Sequence, residues 1–218
     1  ICGGGGRVIW DDAGNTPNLH FVYFDTGSIP VVIGLTNLKA DPESKKSPAH
    51  PGPGSGYIAY CEGGRFEGQR GKGTAFDKEG NVVKTFKGTS GSGTHQQNFI
   101  DAVRLRDSSI LNTEIQVGHD STGWCNLANI AFRAGSAFSK EAAQAVPDSV
   151  EQWPGLVADM GELLQAHGSR IESGKVMLSP MLSFDAKSEQ FVGDHADTAN
   201  KFLEREYRAP YVVPQIVS

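Results

Sequence analysis

The alternation of apolar and polar positions changes character at residue 94, from a period of two before it to a helical period after it. Over residues 19–25 both alternating sets are apolar, Leu19, Phe21 and Tyr23 on one and Val22 and Phe24 on the other. That pattern predicts a strand covered on both faces. Gly27 and Ser28 separate it from a second run over 29–38, the signal of a hairpin. Arg7, Val8, Ile9 and Trp10 predict a shorter strand, closed by the turn-forming cluster at 11–15. Residues 39–56 collect Pro42, Pro48, Pro51 and Pro53 with Gly, Ser and Lys, and read as a long surface loop. Residues 56–70 and 73–86 supply three or four further strands, with a turn over 77–81. Residues 1–88 are therefore expected to be mainly β-strands, with 7–86 forming one sheet.

From residue 94 the apolar positions follow helical spacing. Thr94 and Gln97 have the form of a capping box, and Phe99, Ile100 and Val103 line one face behind it. Trp124, Leu127, Ala128 and Ala131 predict a second helix from about Ser121 to Gly135. Val150, Trp153, Val157, Met160 and Leu164 predict a third, ended by Gly168, with Pro154 confined to its first turn because an interior proline breaks a helix. Residues 94–167 are thus mainly helical. Residues 168–218 form a mixed tail, with β-like pieces at 176–178 and 182–184, a brief helix near 196–203 and an extended end. Strands first and helices later predict an α+β fold, an open-faced and mainly antiparallel sheet backed by helices, in a single domain spanning 1–218.

Composition narrows the chemistry. A net charge of −5 and the absence of a basic cluster argue against nucleic acid as a partner. No apolar run reaches the roughly 18 residues of a membrane span, so no membrane partner is expected. Cys2, Cys61 and Cys125 have neither disulfide-framework nor zinc-site spacing, and the six histidines are scattered, so no metal site is predicted. Asp11 and Asp12 read as a turn rather than a catalytic carboxylate pair. Gly3 to Gly6 has no strand before it and no helix signal after it, which excludes a dinucleotide fingerprint. The glycine-rich stretch 88–94 lies between a strand and a helix but lacks a P-loop's Gly-Lys-Ser/Thr. His95, at the start of the helix beside that stretch, and Asn98, one turn on, are the candidate substrate-binding residues. No catalytic constellation is visible.

Residues 94–106 resemble the "HxxNFIDAVRSR" helix of a bacterial branch of the Gfo/Idh/MocA oxidoreductases, relatives of glucose–fructose oxidoreductase and inositol dehydrogenase. The likeness continues through 111–115, through Gly118 and His119, and through 125–133, which is similar to "GHxSxxLCHLGNIAYR". Residues 184–194 look like "FDPxxxxFVGD", 205–214 like "REYRxPFVVP", and 12–18 like "DDGETPN". The resemblance implies a C-terminal domain of the kind found in glyceraldehyde-3-phosphate dehydrogenase, whose sheet commonly forms the subunit interface. It implies substrate-pocket walls and an oligomerisation surface for an NAD(P)-dependent sugar or polyol oxidoreductase. The family's cofactor lies on an N-terminal Rossmann domain, and its proton chemistry on an Asp/His helix and a Glu-Lys-Pro lysine. No segment of this chain matches these, nor GxGxxG, so no catalytic or cofactor-binding residue is carried over. The fragment alone is expected to bind no NAD(P) and to be inactive. Its expected partners are the missing Rossmann domain, further copies of itself and a small carbohydrate. Two alternatives stand beside this: part of an NAD-dependent glycosidase of the same superfamily, or a stand-alone carbohydrate-binding or interaction module. The cytoplasm and the periplasm are both open as compartments.

Overall fold

In the computed structural model, residues 1–48, 54–88, 93–146, 150–205 and 207–212 are described. They form an α+β fold with mainly antiparallel sheets, and they divide into two units. One comprises Ile1–Glu43 with Gly123–Ser218, the other Ser44–Thr122. The single sheet expected over 7–86 is therefore two sheets, one in each unit.

The first unit is built on a five-stranded antiparallel sheet. Its strands are β1 (Cys2–Gly6), β2 (Leu19–Phe24), β3 (Val31–Thr36), β8 (Ser136–Ala137) and β9 (Val176–Leu178), in the order β3-β2-β1-β9-β8. The hydrophobic pattern does not predict β1, because four of its five residues are glycine, which is depleted in strands. Close approach explains the composition. A Cβ on Gly5 would run into the Leu19 carbonyl oxygen and the Cα of His20, and one on Gly6 into the Lys175 carbonyl. Only a strand without side chains fits between those neighbours.

Residues 7–10 are not the strand that their β-branched and aromatic content predicts. Ile9 has φ of 69°, and the Trp10 amide donates to the Val8 carbonyl at 2.7 Å, a γ-turn that ends the extended run. Buried Asn18 fixes this corner: its Oδ1 accepts from the Val8 amide and its Nδ2 donates to the Val8 carbonyl, both at 2.9 Å. Asp12 pairs with Arg7 and accepts from the Gly14 amide, so the Asp11–Asp12 stretch is a turn, as expected.

Helices of the same chain cover both faces of β2. On one side Leu19 and Phe21 meet Met160, Leu163 and Leu164 of α4 (Trp153–Ala166), while Tyr23 and Cys2 meet Trp153. On the other, Val22 and Phe24 pack against Ala128 of α2 (Ile115–Arg133), and the Trp124 ring meets Phe24 edge-on at 4.8 Å. Phe21, Val22, Tyr23 and Phe24 are thus all buried within the chain. The second cover of β2 is therefore α2, and neither of its two side-chain sets is left open. That helix starts at Ile115 rather than near Ser121, because its first turns carry no apolar residues at helical spacing to announce them. Pro154 sits in the first turn of α4, as its ring requires.

The tail adds α3 (Lys140–Gln144), the hairpin β10 (Ser183–Asp185) with β11 (Gln190–Val192), and α5 (Ala196–Asn200). Leu182, Phe191 and Ala199 close a core with Ile130 and Ala131. Asn200 secures it as Asn18 secures the other corner, with its side chain bonded to both the amide and the carbonyl of Phe191.

The second unit is a four-stranded meander, β4 (Tyr57–Cys61), β5 (Gly64–Gln69), β6 (Lys72–Asp77) and β7 (Val82–Lys87), followed by α1 (Thr94–Leu105) and a 3₁₀ turn at Ser108–Ile110. The expected turn at 77–81 is present, with the Asn81 amide and side chain both donating to the Asp77 carboxylate.

Candidate functional site

The two candidate substrate residues lie at the start of α1. The helix is capped by Gly93 in the left-handed region, φ 104°, with no side-chain cap bond. The expected Thr94–Gln97 capping box is therefore not formed. Gln97 instead donates forward to Asp101 at 2.7 Å, an i,i+4 pair on the helix surface. His95 is exposed in the first turn. Asn98 is half-buried and holds the following turn, its Nδ2 donating to the Ile110 carbonyl at 2.8 Å and its Oδ1 accepting from the Asn112 amide at 2.9 Å. The structure thus gives His95 access to solvent and Asn98 a bracing role beside it. The middle of the glycine-rich stretch, residues 89–92, lies outside the described residues. Beyond the first turn, Phe99, Ile100 and Val103 are exposed on one face, with Phe99 60% accessible.

The meander carries an arrangement that the sequence pattern does not disclose. Register places Tyr57, Gly68, Gly73 and Phe86 in one cross-strand row and Ala59, Phe66, Ala75 and Lys84 in the next, on the same face. A Cβ on Gly68 would strike the Tyr57 ring, and one on Gly73 the Phe66 ring, so both rings lie across bare glycine backbone. The Tyr57 and Phe66 centroids are 6.0 Å apart with planes tilted by 37°, and Phe86 follows at 5.8 Å, edge-on. Lys84 Nζ stands 5.0 Å from the Phe86 centroid. Tyr57 remains 60% exposed, so the outer side of this aromatic row is open. The opposite face is mixed: Arg65 stacks on Phe76 at 4.3 Å and pairs with Glu67 at 2.7 Å, beside Ile58 and the exposed Tyr60.

In the first unit a cleft of about 850 Å³ lies between the start of α3 and the connection from α4 to β9. Its walls include Lys140, Glu141, Arg170, Glu172 and three serines, with Lys140 and Glu172 3.9 Å apart. These groups offer ionic and hydroxyl contacts. Among the described residues no group of three His, Cys, Asp or Glu side chains is placed to hold a metal, and no helix is long and apolar enough to cross a membrane. Cys61 and Cys125 are exposed free thiols, whereas Cys2 is buried and its pKa is pushed up to about 11 by loss of solvent.

Sequence reasoning passed over His20 as one of several scattered histidines. It is the second residue of β2, 8% exposed, and its Nε2 has no hydrogen-bond partner among the described residues. The signal that could have found it is the neighbouring glycine strand, which leaves space for a ring that would otherwise not fit. No family model, no curated protein and no solved structure matches this chain.

Proposed function

We propose that this chain is the sheet-bearing part of an NAD(P)-dependent sugar or polyol oxidoreductase of the Gfo/Idh/MocA kind, supplying walls of the substrate pocket and a surface for assembly into a homo-oligomer. The observation that carries the reading is the run from 94 to 133, whose residues resemble that family's and which forms α1, the Asn98-braced turn and α2 in unbroken succession. In this reading the domain is of the glyceraldehyde-3-phosphate dehydrogenase C-terminal type, and hydride transfer takes place against a cofactor held by a Rossmann domain elsewhere in the polypeptide. His95 contacts the sugar and Asn98 keeps the helix start in place. The test is the gene sequence ahead of the Ile1 codon. A strand, a GxGxxG turn and a His/Asp helix in frame are expected there. An immediate start codon would overturn the reading.

A second reading, a carbohydrate-binding module, is favoured by one observation, the open row of Tyr57, Phe66 and Phe86 over glycine. Flat apolar ring faces with a polar rim suit the C–H faces of a sugar ring. Titration with a glycan array distinguishes the two. Binding that disappears in Tyr57→Ala supports the module, and binding that depends on His95 alone supports the oxidoreductase pocket.

A further inference from the structure

We propose that His20 is an acid-sensitive latch: protonation of its imidazole opens the layer between the five-stranded sheet and the second half of α2.

The geometry is that of a ring laid on bare backbone. His20 pairs with Gly5 across β1 and with Leu35 across β3. A Cβ on Gly5 would lie 3.0 Å from His20 Cδ2, and one on Gly3 3.5 Å from Nε2, so the imidazole spans both glycines. From α2 the Phe132 ring covers it edge-on, with centroids 5.8 Å apart at 68°. None of these neighbours carries a charge. Arg133, next along α2, turns away to stack on Phe202 at 4.3 Å. No carboxylate contributes to the state of the ring, and burial alone lowers its pKa to about 4.

An imidazolium needs acceptors for two N–H groups, and here Nε2 has none. Protonation therefore stabilises a state in which water reaches the ring, and the cover to be lifted is α2 with Phe132. The sign follows from the depressed value. The closed state keeps its full stability above about pH 6.5, where the free imidazole is neutral. Stability falls as the pH drops towards about 4, and levels off below it. A hydrophobic ring in the same place would hold the layer without this dependence.

The test is an acid titration of the whole 218-residue chain, following binding of a hydrophobic dye together with near-ultraviolet circular dichroism. In the unsubstituted chain dye binding should rise between about pH 6 and pH 4. In His20→Phe the midpoint should move down by about one pH unit or more. An unchanged midpoint would overturn the proposal. NMR of the unsubstituted chain decides the matter even where the variant fails to fold. The His20 ring signal should titrate only together with the opening. A ring that titrates near its free value while the α2 packing stays intact would equally overturn it.

Discussion

Gly5 and Gly161 carry opposite expectations for the same substitution. Alanine at Gly5 must displace the backbone of β2, since the obstructing atoms are a carbonyl oxygen and a Cα rather than the end of a flexible side chain. Gly5→Ala should cost about 3 kcal/mol. Gly161 lies inside α4 with nothing within 4 Å of its missing Cβ, and there alanine removes only the entropy cost of glycine in a helix. Gly161→Ala should stabilise by about 1 kcal/mol. Urea unfolding of the two variants checks both signs, and equal midpoints would contradict the close-approach account of β1. Asn18 makes a third case. Its truncation to alanine leaves the buried Val8 amide unpaired, while the Val8 carbonyl keeps the Trp10 amide, and should cost about 2 kcal/mol by the same measurement. Only the last of these positions stands out in the sequence, as an asparagine ahead of an apolar run. Glycine has no side chain to show which neighbours crowd it.

Among the elements, those with a periodic apolar signature were legible. β2 shows in its two apolar sets, and α4 in Trp153, Val157, Met160 and Leu164 with Pro154 in its first turn. The elements that escaped are those shaped by contacts distant in sequence. β1 is a strand because β2 and β9 pair with it on either side. The stretch at 7–10 is turned aside by Ile9 although its composition favours a strand. The first turns of α2 are exposed, and their two apolar residues, Ile115 and Val117, are two apart rather than at helical spacing, so no stripe marks their start. The candidate site was legible in part. His95 was placed correctly at a helix start. The bracing of Asn98 against a turn that begins ten residues further on was not, because it depends on how the chain bends after α1. Asn98→Ala should loosen that bend by about 1–2 kcal/mol. Hydrogen exchange would then be faster at the Asn112 amide and unchanged in α4. Unchanged exchange at Asn112 would mean the turn holds without the side chain.

At the scale of the whole molecule, the proposed role makes two demands. The chain should give no specific heat with NAD(H) in isothermal titration, because it has no strand–glycine turn–helix unit with an acidic ribose partner. Micromolar binding would contradict that and direct attention to the 88–94 stretch. It should also associate, since Tyr57, Phe86, Phe99 and Val103 leave apolar surface open within the second unit. Sedimentation at tens of micromolar should show a dimer or larger, and a strict monomer would remove assembly from the proposed role. The pairing of β1 has a further consequence, for the living cell. β1 is synthesised well before one of its two neighbours, β9, which is built from residues 176–178. At about 5–20 residues per second the ribosome needs roughly 10–30 seconds to cover that separation. The second unit, drawn from the contiguous stretch Ser44–Thr122, can be complete before then. For that interval one edge of the glycine strand has hydrogen-bonding groups exposed and no side chains to shield them. A nascent chain of this protein should therefore depend on chaperones until β9 emerges, and chains stalled before residue 176 should be the ones that aggregate.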